Sequence, residues 1–381
     1  MFGSNGIVGT HNVSNTKSPL IVIGRKGSYG KLTFSEEPGF AIDTTYFVDQ
    51  TQTQNNLRWL YYAMSCLELD SYSKDSAVPG LSREEAYEKI TPHPPIEEQR
   101  SIARFLDHKT AQIDALITKK ETLLKKLAEK RTALISQAIT KGCDRTVPTK
   151  DSGVEWMGEI PAHWKTMVVK RTARNGYKTF TDGDWIETPY ITDEGVRLIQ
   201  TGNIGIGEYI EKGFRYVSEE TFTSLKCTEV FPNDVLICRL DGPVGRACLA
   251  PDLGTRMITS VDNAILKPSE DFDPRFIVYS LSSDLWFDWI QALCRVGGGF
   301  RFRISRSILG DLRITAPSVE EQREIADYID SQLSKINSTA TEIRAAIAKL
   351  KEYRTALITN AVTGKIDVRD VILETEPMEA A

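Results

Sequence analysis

Two stretches of the chain place apolar residues at intervals of three and four over more than forty positions. In the first, Ile113, Leu127 and Leu134 fall on sevens, with Leu116 and Leu123 between them; in the second, Ile336, Ile343, Leu350 and Leu357 keep the same spacing. A heptad pattern sustained this long predicts helices that bury a seam against a partner helix. Lys120 and Lys130 interrupt the first seam, and Thr339 and Ala346 thin the second. Each stretch opens on a proline followed by two glutamates, where a first turn needs no N–H donor and the positive end of the helix dipole favours negative charge. No proline or glycine follows until Gly142 and Gly364, which suit helix C-termini. About 45 residues at about 1.5 Å each make a rod of roughly 65–70 Å. Such a rod cannot bury its stripe alone, and the obvious mate is its own repeat.

The two stretches are copies. Pro94-Pro95-Ile96-Glu97-Glu98-Gln99-Arg100 returns as Pro317-Ser318-Val319-Glu320-Glu321-Gln322-Arg323, and Arg131-Thr132-Ala133-Leu134-Ile135 returns as Arg354-Thr355-Ala356-Leu357-Ile358. One offset of about 223 residues aligns them without a gap, with about 19 identities in 46 positions. That spacing is far beyond a solenoid period of about 20–50 residues. The chain is therefore expected to consist of two large halves, each closed by the same long helix, with the helices at 94–142 and 316–366.

Between the helices the periodicity shortens. Residues 1–93 read as a first globular segment: turn chemistry at Met1 to Gly6, a buried strand at Leu20-Ile21-Val22-Ile23 and an amphipathic helix from Asn56 to Leu69. Residues 143–162 read as a polar connector. A second globular segment spans 163–315, with strands at Met167 to Val169, Val196 to Ile199 and Val235 to Cys238, and a helix from Phe276 to Ile290. Residues 367–381 form an acidic tail of disordered composition. The repeat also reaches into the globular parts: Ile21-Val22-Ile23-Gly24-Arg25 parallels Val235-Leu236-Ile237-Cys238-Arg239, and Leu57-Arg58-Trp59-Leu60-Tyr61-Tyr62 parallels Pro274-Arg275-Phe276-Ile277-Val278-Tyr279. Carrying the offset back from Trp164 lands about 59 residues before Met1, so the first globular segment is expected to lack its N-terminal half.

Bulk properties narrow the chemistry. The 381 residues carry a net charge of −5, which does not by itself announce a nucleic-acid partner. A local basic patch can still bind phosphate, because salt confines fields to about 8–10 Å. The six cysteines show no zinc spacing; with no signal peptide and no long apolar run, the chain reads as a protein of the reducing cytosol with no membrane contact. Gly24, Gly27, Gly30 and Lys31 miss the phosphate-loop spacing, the four histidines are scattered, and no nucleophile elbow, kinase set or Asn-Pro-Pro-aromatic methyltransferase signature occurs. No catalytic, metal or cofactor site is expected in this chain.

Basic and aromatic residues do gather in one place. Arg295-Val296-Gly297-Gly298-Gly299-Phe300-Arg301-Phe302-Arg303-Ile304-Ser305-Arg306 holds four arginines, three glycines and two phenylalanines in twelve positions. Glycines admit close backbone approach, arginine forks match phosphate oxygens and guanine edges, and phenylalanine packs on sugar or base. A solvated basic turn would have the same composition. Its first-half counterpart, Ser76 to Arg83, keeps Leu-Ser-Arg against Ile-Ser-Arg but loses the other arginines. Candidate DNA-contacting residues are Arg295, Arg301, Arg303 and Arg306, with Arg239, Arg25 and Lys26 in the glycine loops. Lys119, Lys120, Lys125, Lys126, Lys130 and Arg131 read as a solvated helix face.

These motifs in this order resemble the specificity subunit of type I restriction–modification enzymes. The resemblance rests on the Pro-Glu-Glu-Gln-Arg helix starts, the two Arg-Thr-Ala-Leu-Ile ends, Val362-Thr363-Gly364-Lys365-Ile366-Asp367, Asp151-Ser152-Gly153-Val154-Glu155-Trp156, Gly158-Glu159-Ile160-Pro161-Ala162-His163-Trp164 and Gly3-Ser4-Asn5-Gly6-Ile7-Val8-Gly9. It implies a mixed α+β fold: two target-recognition domains, the first incomplete, separated by two long helices that pair as an antiparallel coiled coil. It also implies a non-catalytic reader of a split double-stranded DNA target. The helix pair would set the gap between half-sites and dock modification subunits that bind S-adenosylmethionine. Restriction subunits would add ATP- and magnesium-dependent translocation and cleavage. The other reading is a shortened assembly scaffold that docks modification subunits without selecting DNA.

Overall fold

The computed structural model describes residues 1–71, 80–297, 301–369 and 371. The chain divides into two compact units, Met1–Leu123 with Thr341–Ala381, and Leu124–Ala340.

In the first unit the apolar run Leu20–Gly24 is the middle strand of a three-stranded antiparallel sheet, flanked by Leu32–Ser35 and Thr45–Asp49. Its side chains alternate between two cores, which explains a continuous apolar run where a half-exposed strand would alternate. Ile21 and Ile23 pack with Leu57, Leu69 and Leu81, while Leu20 and Val22 pack with Phe2. Helix Leu57–Ser65 starts where the Asn56 side chain accepts from the Trp59 N–H at 2.9 Å.

The second unit repeats that sheet and extends it. Strands Ala247–Leu249, Val235–Cys238 and Asn263–Leu266 reproduce the order and directions of the first unit's three strands. A fourth strand, Phe180–Asp182, pairs with Asn263–Leu266; among the described residues, Thr45–Asp49 has no such neighbour. A second sheet orders Ile191–Thr192, Tyr216–Val217, Val196–Ile199 and Met257–Thr259, its last pair parallel. The helix expected from Phe276 to Ile290 is two, Pro274–Ser280 and Asp284–Leu293, because the Ser283 hydroxyl accepts the Trp286 N–H and starts a new helix. The polar connector is also folded: Thr149–Asp151 and Glu159–Pro161 form a hairpin, and Met157, Ile160 and Trp164 are buried against Ile135, Ala138 and Ile139.

The long helices run Ile96–Lys141 and Val319–Val362. They pair antiparallel within each unit. In the first, Arg354 bridges Asp114 at 2.9 Å, while Arg104 and Phe105 share a cleft with Val368 and Arg369. In the second, Ile135 and Ile139 pack with Ile325, Ile329 and Leu333. The seam corrects the expected phase. Ile113 and Ile117 are buried whereas Leu116 and Leu123 are exposed, so the intermediate positions fall four residues on, not three. The second helix agrees, burying Ala340 and Ile347 and leaving Thr339 outside, and Lys130 likewise lies off the seam. Adjacent apolar pairs (Leu116-Ile117, Leu123-Leu124) made both phases possible on pattern alone. Among the described residues no helix is long and apolar enough to cross a membrane.

The repeated glutamine explains why each helix start is so alike. Gln322 is fully buried; its amide oxygen accepts the Asp273 N–H at 3.0 Å, and its NH2 donates to the Pro317 carbonyl at 3.0 Å and the Asp271 carbonyl at 3.1 Å. Gln99 does the same with the Asn56 N–H at 2.9 Å and the Pro94 carbonyl at 2.9 Å. Two turns on, Asp107 accepts from Arg58 at 2.6 Å and Tyr62 at 2.7 Å. Asp330 accepts from Arg275 at 2.8 Å and from the Tyr279 hydroxyl. Burial, with Asp330 beside it, pushes the Tyr279 phenol up. Each globular part is thus fastened to its long helix by the same four side chains. Gln322→Leu, which strands the buried Asp273 N–H and two carbonyls, is expected to cost about 3 kcal/mol in a denaturant titration of the purified chain.

Candidate nucleic-acid interface

Strand Val235–Cys238 runs into a glycine loop closed by two backbone bonds, Gly245 N–H to the Cys238 carbonyl at 2.7 Å and Cys238 N–H to the Arg246 carbonyl at 2.9 Å. The first unit builds the same loop, Gly30 N–H to Gly24 at 2.8 Å and Gly24 N–H to Lys31 at 2.9 Å. Gly30 (φ +73°) and Gly245 (φ +84°) hold a left-handed backbone, and a Cβ there would sit 2.4 Å from the Asp70 nitrogen or 2.2 Å from the Ile290 Cδ1. These glycines serve tight packing of the loop.

On the second loop sits the segment that carries the basic cluster, and on the first sits its counterpart. Leu240 and Arg303 form a β-bridge, as do Lys26 and Gly80 at the corresponding place. The Ile304 N–H donates to the Arg239 carbonyl at 3.1 Å, and the Leu81 N–H to the Arg25 carbonyl at 2.8 Å. In the second unit the segment is a hairpin, Arg295–Gly297 against Arg301–Arg303. Arg295 pairs with Arg303 and Gly297 with Arg301 across it; Gly298 to Phe300 lie outside the described residues.

Five of the candidate residues fall into three situations; the side chains of Arg295 and Arg301 lie outside the described ones. Arg239 is 5% exposed, salt-bridged to Asp182 at 2.9 Å and bonded to the carbonyls of Val261 and Ile304. Burial draws its guanidinium down, Asp182 opposes that, and the charges of Arg303 and Arg306 add to the depression. Arg239 therefore organises the loop from inside rather than offering a free guanidinium. Arg303 and Arg306 are surface residues held by carboxylates: Arg303 to Asp262 at 3.1 Å, and Arg306 to Asp182 at 3.1 Å and to the Phe180 carbonyl. Phe302, next to Arg303, is exposed. Arg25 and Lys26 are exposed on the first loop, with Arg25 stacked over Tyr46 at 5.5 Å from the ring centre.

The structure adds partners that sequence reasoning missed. Asp182 and Asp262 come from a strand end and a turn far apart in the chain, and neither belongs to a motif. Arg83 occupies the position of Arg306 in the repeated Leu-Ser-Arg, and its guanidinium lies over Tyr46 at 5.3 Å; the repeat was its signal. Among the described residues, no group of three or more His, Cys, Asp or Glu could hold a metal ion.

Because Asp182 compensates a buried guanidinium, Asp182→Ala is expected to destabilise the chain by about 2 kcal/mol. Arg306→Ala, which breaks a half-exposed pair and the bond to the Phe180 carbonyl, should cost less, about 1 kcal/mol. Thermal unfolding of the two variants side by side checks the order.

No family model matches the chain. It is 21% identical over 371 residues to the type I restriction enzyme EcoBI specificity subunit of Escherichia coli, covering 91% of this chain and 73% of that one. It is 22% identical over 357 residues to the MjaVIII specificity subunit of Methanocaldococcus jannaschii, covering 91% and 78%. Among solved structures, one bearing on complex assembly and conformational transition of the type I R-M system superposes with a TM-score of 0.65 at 16% identity, covering 93% of this chain and 85% of that one. The HsdS subunit of Thermoanaerobacter tengcongensis superposes with a TM-score of 0.53, also at 16% identity, over 94% and 85%.

Proposed function

From its homology to type I restriction specificity subunits over nine-tenths of its length, we propose that this chain is the DNA-sequence recognition subunit of a type I restriction–modification complex. The observation that carries the reading is the duplication: two glycine loops, each bridged to a neighbouring segment, on sheets fastened identically to two paired helices. A protein that reads a split target needs two similar frames presenting different side chains. The loops here differ in that way: Arg303 beside the second loop corresponds to Gly80 beside the first. The domain limits we assign are 1–93 and 163–315 for the recognition parts, 94–142 and 316–366 for the helices, 143–162 for the linker and 367–381 for the tail.

In this role Arg301, Arg303 and Arg306 of the second unit contact the duplex, arginine forks reading guanine edges or phosphates in the major groove. Arg295 lies on the same hairpin, and Arg239 supports it. The chain itself carries no catalytic step. Modification subunits docked on the helix pair bind S-adenosylmethionine and extrude the target base; restriction subunits use ATP and magnesium. The setting is the cytoplasm, where the chromosome is the substrate.

The scaffold reading differs in one observable. Methylome mapping of cells carrying this chain with its modification subunit is expected to show a split adenine motif. Replacing Arg301, Arg303 and Arg306 together with alanine should abolish discrimination at one half-site, lowering methylation of the full motif at least about tenfold, as loss of a single good bidentate contact already costs about 1–3 kcal/mol. Modification with no motif in the wild type would support the scaffold. An unchanged motif in the triple variant would remove these arginines from the reading surface.

A further inference from the structure

The repeat places one arginine pair at the same point of both units, with opposite electrostatic settings. In the second unit the pair is Arg239 and Arg306, and one carboxylate, Asp182, contacts both. Asp182 belongs to Phe180–Asp182, the fourth strand of that sheet, which has no counterpart among the first unit's described residues. The next arginine on the hairpin, Arg303, is matched by Asp262. In the first unit the pair is Arg25 and Arg83, both exposed. Both lie over the ring of Tyr46, their guanidinium carbons 5.5 and 5.3 Å from its centre. Among the described residues no carboxylate pairs with either, and Lys26 is exposed alongside. Register explains the exchange: Tyr46 lies opposite Ile23, whereas the matching Ile237 faces Ala264, too small to stack on an arginine.

We infer that the two arginine pairs do different work on DNA, each at its own unit's half-site. The Arg25–Arg83 pair of the first supplies phosphate affinity, and the carboxylate-held Arg303 and Arg306 of the second supply direction for reading. An uncompensated guanidinium gains by displacing condensed counterions from DNA, so its contribution appears in the salt dependence of binding. One already matched by a carboxylate gains little that way. Its asset is a fixed orientation, which is what a base edge requires. Stacking on Tyr46 holds the free pair without neutralising it, since a ring quadrupole attracts a cation but carries no net charge.

This inference rests on the proposed role in DNA recognition, and its test separates the two. The assembled complex with modification subunits is titrated with a duplex lacking the target across a series of salt concentrations. Arg25→Gln with Arg83→Gln should lower the slope of log affinity against log salt by about 1.8, at about 0.9 per phosphate contact, while the methylated motif stays the same. Arg306→Gln should lower the slope by no more than about 0.9 and relax the motif. Arg25→Lys with Arg83→Lys keeps the charge and should keep the slope; losing it there would mean that packing, not charge, matters, and would overturn the inference. So would a wild-type slope in the glutamine pair of a complex that still selects its motif. If the wild-type complex selects no motif, the recognition role fails first, whatever the slopes.

Discussion

A helix of 46 residues with an apolar stripe along it cannot exist alone in water. The requirement that each long helix bury its stripe on the other constrains everything else in this chain. Because the helices are copies paired antiparallel, the start of each lies against the end of the other, and both starts meet equivalent surroundings. The buried glutamine and the aspartate two turns on then work twice, at Gln99 and Asp107 and at Gln322 and Asp330. A side chain amide satisfied on both its oxygen and its nitrogen inside a core is costly to misplace by even one residue. It fixes where each globular part begins on its helix, in a way that apolar contact alone does not.

From that anchor the order of consequences runs outward. The clasp holds the N-terminus of helix Leu57–Ser65, or of Pro274–Ser280, against the long helix. Those helices pack on the sheets, and the middle strand of each sheet delivers the glycine loop at its end. In both units the loop accepts the neighbouring segment through one bridge and a backbone hydrogen bond to the arginine carbonyl, and in the second unit also through the Asp241 N–H, which donates to the Phe302 carbonyl at 3.1 Å. A basic side chain at the surface is thus placed by a chain of buried contacts that begins at the seam. Sequence variation in the exposed segment can change the side chains presented without disturbing the frame.

Legibility in the sequence followed the same gradient. Features set by repeating local rules were readable: the helix ends at Gly142 and Gly364, the buried strand Leu20–Gly24, and the duplication. The seam's phase was not, because Leu116-Ile117 and Leu123-Leu124 offer apolar residues at both candidate positions and only the partner decides. The folded connector was masked by its polar composition; its contribution is concentrated in Met157, Ile160 and Trp164, which look isolated until packed. At the candidate interface the arginines stood out by composition, but their circumstances did not. That Arg239 is buried while Arg303 is not depends on Asp182 and Asp262, residues with no spacing relation to the hairpin.

The contrast between the two glycine loops shows why a duplicated frame does not give duplicated chemistry. The two backbone bonds that close each loop correspond, as does the bond that each arginine's carbonyl accepts, so the arginines at their bases start from the same place. What differs is one neighbouring side chain on the adjoining strand, tyrosine in one and alanine in the other, and one further strand that brings an aspartate. A carboxylate and an aromatic ring both hold a guanidinium, yet one cancels its charge and the other leaves it in place. Two copies of one scaffold can therefore diverge in electrostatic character through changes around the arginines that they share, Arg25 with Arg239 and Arg83 with Arg306, as well as through Arg303, whose place the first copy fills with Gly80.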